Sequence, residues 1–144
     1  MNYKIQPAYL GLAFLALAAC SGKDPQTAKP DPRAIERKLA QIAGQANQAA
    51  PAAVDANTRL DGAKAGPGLK LTTTYTLINP ESEGISSATF DSKMTPVVKE
   101  GSCKNPELRP LIDLGVVVVL EYRGTDGNPI GTVSINRDSC AAPK

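Results

Sequence analysis

The chain has 144 residues, with 16 basic and 14 acidic side chains, no histidine, and a hydrophobic share of 42%. That length suits one small domain, and a net charge of +2 with both signs scattered excludes the basic stripe of a nucleic-acid binder. The missing imidazole removes Ser-His-Asp and Cys-His chemistry together with the usual zinc sites.

At the start of the chain Lys4 supplies a charge, 12 apolar or small residues run from Ala8 to Ala19, and Cys20 follows. These are the parts of an export signal. The run falls short of the ~20 residues that a membrane-crossing helix needs, and the polar Ser21-Gly22-Lys23-Asp24-Pro25 comes next. Residues 1–19 therefore read as a signal peptide and not as an anchor helix. Leu17-Ala18-Ala19-Cys20 resembles the lipobox of bacterial lipoproteins. The resemblance implies a diacylglycerol on the Cys20 sulfur, cleavage before Cys20 and acylation of the new amino terminus. Three acyl chains exceed what stable anchoring requires, at about 0.8 kcal/mol per buried methylene. Because Ser21 and not Asp follows the cysteine, the resemblance also implies the outer membrane, facing the periplasm. A leftover thiol beside an ordinary signal-peptidase site is the competing reading. The lipid accounts better for three cysteines, one consumed and two left to pair. Cleavage removes 19 residues, Lys4 among them, and lowers the net charge from +2 to +1.

From Cys20 to Asp31 the chain is rich in proline and charge and lacks large apolar residues, which predicts a flexible tether. Residues 32–144 are then expected to form one α+β domain. Asp31-Pro32 is an N-cap followed by proline at the first helical position, and Ile35, Leu39, Ile42, Ala43 and Ala46 recur at helical spacing, so an amphipathic helix is predicted over 32–49. Its apolar stripe reads as the face that packs on a sheet.

In Val54–Leu77 the stretches flanking Gly66-Pro67-Gly68 alternate apolar with polar residues, a hairpin signal. A two-residue Gly66-Pro67 turn with positive φ at Gly66 would pair Leu60 with Thr73, Thr58 with Tyr75 and Ala56 with Leu77. Leu60, Leu69, Leu71, Tyr75 and Leu77 then share one face. Arg59, Asp61, Lys70, Thr72, Thr74 and Thr76 share the other, a threonine-rich surface suited to solvent or a protein partner.

From Glu81 to Leu114 the pattern is helical but broken. Phe90, Met94, Val97 and Val98 keep helical spacing while Pro96 interrupts them, which predicts two short pieces. Lys93 to Lys104 is locally basic but contains Glu100, so it reads as a solvated face. Asn105-Pro106 repeats the cap signal, Leu108, Leu111 and Ile112 follow, and Gly115 ends the turn. Val116–Arg123 and Ile130–Arg137 flank Asp126-Gly127, the strongest short hairpin signal, pairing Leu120 with Val133, Val118 with Ile135 and Tyr122 with Gly131. Pro129 marks the return strand as an edge. The expected architecture is a helix on a small antiparallel sheet of two hairpins, with short helices between them.

Cys103 and Cys140 remain for a disulfide, the default in an oxidising compartment. No CxxC spacing or histidine supports a reactive or metal-binding pair instead. The combination Val54-Asp55, Thr58-Arg59-Leu60-Asp61, Tyr75-Thr76-Leu77, Cys103, Gly115, Tyr122, Asp126-Gly127 and Cys140 resembles a group of small exported bacterial proteins of unassigned role.

No Ser-x-x-Lys occurs in the chain. Carboxylate pairs such as Asp55 with Asp61, or Glu81 with Glu83, are the remaining route to glycan cleavage, but Asp61 lies near Arg59 and Lys64 and reads as surface pairing. Asp126-Gly127-Asn128 lacks the further ligands of a calcium loop, and no helix start follows Gly66-Pro67-Gly68 to make a phosphate cradle. The expectation is a lipid-anchored, non-enzymatic protein-binding module with no cofactor or metal. The alternative is an inhibitor or immunity protein against a periplasmic wall-degrading enzyme or toxin.

Overall fold

The computed structural model of the chain describes residues 30–79 and 84–141. The expected signal peptide, the lipobox-like stretch with Cys20, and the expected tether up to residue 29 lie outside these residues, as do Glu81 and Glu83. Helix α1 spans Pro32–Ala49, the range the capping signal predicts, and the Asp31 carboxylate accepts the Arg33 amide at 3.0 Å. Its Ile35, Leu39 and Ala43 are buried. Strands β1 (Ala52–Asp55), β2 (Thr58–Gly66) and β3 (Lys70–Leu77) follow, then β4 (Val117–Arg123) and β5 (Pro129–Ile135) after a helical connection. They form a five-stranded sheet in sequence order, antiparallel except where β4 lies parallel to β3.

The α+β class is thus as expected, but the sheet is mixed. Two hairpins are joined here through a helical crossover, long enough to let β4 lie parallel to β3. β1 is a fifth strand that the periodicity did not reveal, because Ala56-Asn57 turn the chain back on itself before β2.

The crossover contains α2 (Ser87–Thr89), a π turn (Phe90–Met94) and α3 (Thr95–Lys104), followed by α4 (Arg109–Asp113). Pro96 was expected to split this segment, yet helix continues through it. The Thr95 amide reaches the Phe90 carbonyl across the π turn, and this wider loop accommodates a ring that would clash with the i−4 carbonyl of a regular helix. Asn105 Oδ1 then accepts the amides of Glu107 and Leu108 at 2.8 and 3.1 Å, and Gly115 takes φ 91° to leave α4.

The buried residues of the helices join one core with the side chains of a single sheet face. Leu39, Phe90 and Ile112 meet Leu71, Val118, Leu120, Tyr122, Val133 and Ile135 there. Phe90 is fully buried and lies 5.1 Å from the Tyr122 ring, which stacks on Tyr75 at 5.5 Å. Burying such rings contributes roughly 1.5–3 kcal/mol each. A disulfide ties Cys103 at the end of α3 to Cys140 in a short 3-10 turn after β5, with the Cα atoms 5.3 Å apart.

Both hairpins keep the predicted faces, by different means. β4 and β5 pair as expected at Val118–Ile135, Leu120–Val133 and Tyr122–Gly131, with an irregularity only near the turn. β2 and β3 do not. Thr58 pairs with Leu77 and Leu60 with Tyr75, two residues from the predicted register, and positive φ falls at Gly68 and not Gly66. A two-residue slip leaves each side chain on its face. A bulge at Asp61 then changes the alternation, so Ala63 and Ala65 join the core side and Lys64 the opposite side.

Candidate partner-binding face

One face of the sheet carries the helical layer; among the described residues no helix covers the other. That open face is assembled from Arg59, Asp61 and Lys64 on β2, Lys70, Thr72, Thr74 and Thr76 on β3, and Glu121 and Arg123 on β4. The β3–β4 register sets Thr74 beside Glu121 and Thr76 beside Arg123. Every residue that the alternation assigned to a polar surface therefore shares one face. Glu121 and Arg123 could not be added from sequence, since only the parallel pairing of β3 with β4 shows which side of the first hairpin they join.

Two polar networks order this surface. Arg59 Nε donates to Asp61 Oδ1 at 2.7 Å, and the Thr76 hydroxyl donates to Asp61 Oδ2 at 2.5 Å. Beside them the Thr74 hydroxyl donates to Glu121 at 3.3 Å, and Arg123 lies 3.9 Å from the same carboxylate. Partial burial pushes the Asp61 carboxyl up. The hydrogen bonds from Thr76 and Arg59 and the charges of Arg59 and Arg123 outweigh it, and hold the group below its ordinary value of 3.8.

Between the networks is a shallow hollow of about 340 Å³, lined by Asp61, Gly62, Ala63, Lys64, Thr72, Thr74 and Arg123. Lys64 and Lys70 are exposed, while Thr72 and Thr76 are buried beneath their longer neighbours. Four cations against two carboxylates give the face an excess of positive charge. Two larger hollows, about 430 and 540 Å³, lie on either side of Ile85 and are lined mainly by turn residues.

The arrangement does not suit carboxylate chemistry. A general acid working near neutral pH needs a raised carboxyl pKa, and Asp61 is held low and ion-paired. Asp55 accepts the Asn57 amide at 2.7 Å in its own turn. Asp126 likewise closes the β4–β5 turn, accepting the amide and the side-chain nitrogen of Asn128 at 2.9 and 2.7 Å. Among the described residues no group of three His, Cys, Asp or Glu side chains could hold a metal ion, and no helix is long and apolar enough to cross a membrane.

Sequence reasoning missed Asn47. It lies four residues beyond Ala43, at the end of the stripe Ile35, Leu39, Ala43, and that polar continuation was the available signal. Its amide nitrogen donates to the Ala63 carbonyl at 2.9 Å and its oxygen accepts the Ala63 amide at 2.8 Å, as a neighbouring strand would.

The layout of helices and strands has counterparts among solved structures. The chain shares its fold with type II secretion pilotins. The pilotin EpsS of Vibrio vulnificus superposes with a TM-score of 0.64 at 14% identity, over 78% of this chain and 96% of EpsS. For the pilotin AspS of Vibrio cholerae the score is 0.61 at 16% identity, over 76% and 94%. A candidate secreted protein of Pseudomonas aeruginosa gives 0.64 at 16% identity, over 76% and 96%. No protein-family model matches the chain. No curated protein matches it either.

Proposed function

We propose that this chain is a lipid-anchored protein of the bacterial envelope that works without catalysis, by holding another envelope protein. In this reading Cys20 carries the lipid, the tether up to Asp31 spaces the folded part from the bilayer, and the protein faces the periplasm from the outer membrane. The single observation that carries the binding role is the sheet face left uncovered by the helical layer, ordered by two hydrogen-bonded networks and bearing excess positive charge. Such a surface fits a partner with an acidic patch, because complementary charge speeds encounter and fixes orientation. Likeness in fold to two pilotins supports a partner within a secretion apparatus.

Lys64 and Lys70 are the residues to change, since neither takes part in the Arg59–Asp61–Thr76 network. Tagged full-length protein carrying Lys64→Glu and Lys70→Glu is expected to keep its circular dichroism and thermal midpoint and to lose capture of the partner that the parent retains from envelope extract. Equal capture by both proteins would remove this face from the proposal. Mass spectrometry of the membrane-extracted protein is expected to show an acylated Cys20 at the amino terminus; a free thiol there would remove the anchor.

A further inference from the structure

The two edges of the sheet are treated differently. On the β2 side, β1 pairs with Thr58 to Leu60, and farther along Asn47 occupies both backbone groups of Ala63. On the β5 side no described element pairs. The sheet's hydrogen-bond phase identifies the groups left facing outward there. Val117 donates to the Leu69 carbonyl at 2.7 Å, so odd-numbered residues of β4 bond β3 and even-numbered ones bond β5. Val118–Ile135, Leu120–Val133 and Tyr122–Gly131 are then the hydrogen-bonded pairs. The N–H and C=O of Thr132 and of Ser134 therefore point away from the sheet. Carried across β3, the same phase turns Ala63 outward, where Asn47 meets it. The strip ends at Asn136, whose amide donates to the Ser139 hydroxyl at 3.3 Å.

Edge strands are ordinarily blunted by charge, proline or a bulge. β5 opens on Pro129, and past it the stretch Ile130-Gly131-Thr132-Val133-Ser134-Ile135-Asn136 contains no charge and no proline. The strip is also self-complementary. A two-fold axis at Val133 sets Thr132 against Ser134 of the partner subunit, so outward groups meet outward groups in two hydrogen-bonded pairs. The hydroxyl side chains then lie together on the open face, while Val133 stays within its own core, 1% exposed. Nothing in the strip opposes like charge to like charge. Because the same edge is used by both copies, a contact of this symmetry is closed at two copies through β5.

We propose that β5 pairs antiparallel with β5 of a second copy, joining the two sheets into one. The proposal concerns the sheet edge and stands apart from the partner role assigned to the open face, so either can fail alone. Cysteines at exposed positions test it in cells making the full chain, with the parent as background. Thr132→Cys and Ser134→Cys proteins co-produced under mild oxidation are expected to give several-fold more covalent dimer than either alone, since only the mixture places two cysteines directly opposite. Adding Ser134→Pro to the Thr132→Cys protein and Thr132→Pro to the Ser134→Cys protein should abolish the cross-link. These prolines remove only outward N–H groups, which an edge strand tolerates, and an unchanged thermal midpoint would show that the fold survives. Equal dimer from all combinations, no dimer, or a cross-link to a different protein would each overturn the proposal.

Discussion

Gly131 shows how closely the core is fitted around Phe90. A Cβ at that position would overlap the Phe90 ring, which is fully buried against Tyr122. Gly131→Ala is therefore expected to destabilise by about 1–3 kcal/mol, the usual cost of overpacking. Adding Phe90→Leu should make the glycine substitution cost less than it does in the parent, and a double-mutant cycle by urea denaturation measures that coupling. Asp61 gives a prediction in pH. Its folded pKa lies below 3.8, so the stability it contributes is present above that value and is lost as pH falls through the folded value. The gap in urea midpoint between the parent and Asp61→Asn should be constant near neutral pH and shrink in acid. Tyr122 runs the other way. Burial first, then Tyr75 and Asp55, push its hydroxyl up to about 12, so its contribution is present below the ordinary 10 and lost as pH rises toward 12. Tyr122→Phe should flatten the alkaline loss of stability over that window.

Asn47 decides how the first hairpin ends at its edge. By matching both backbone groups of Ala63 it replaces a strand with one side chain, and the close approach suits Gly62, where a Cβ would lie 2.8 Å from the Asn47 oxygen. Asn47→Ala is expected to cost about 1–2 kcal/mol, two exposed hydrogen bonds at modest net value each. It should also raise concentration-dependent association through the freed edge, checked by denaturation and by light scattering. β2 and β3 keep the predicted faces although their register differs by two residues, because a shift of two preserves alternation. The bulge at Asp61 and the π turn before Pro96 were both illegible in the pattern. Each inserts one backbone unit where tertiary packing requires it, against the local periodicity.

For the molecule as a whole, the Cys103–Cys140 link closes a sequence separation of 37 residues containing α4, β4 and β5. Closing a loop of that length restricts the unfolded chain by about 3–4 kcal/mol on the chain-entropy model. Replacing both cysteines by serine should lower stability by that order while leaving the open face intact, since the bridge lies on the covered side between α3 and the turn after β5. Comparison of thermal midpoints with retention of the partner separates the two effects. A partner-binding loss that tracked the loss of stability would show that the face depends on global rigidity and not on its own hydrogen bonds.

Local chemistry was enough to specify α1, whose cap, proline and stripe act within a few residues, and the β4–β5 pairing, where β-branched alternation meets a tight turn. It also marked Arg59, Asp61, Lys70, Thr72 and Thr74 as belonging to one polar surface, because side chains alternate along a strand whatever the strand pairs with. The order of strands, the parallel junction and the recruitment of Lys64, Glu121 and Arg123 were settled only by the fold. These features join residues distant in the chain, and their energy comes from burying one sheet face under the helices, which no local periodicity encodes.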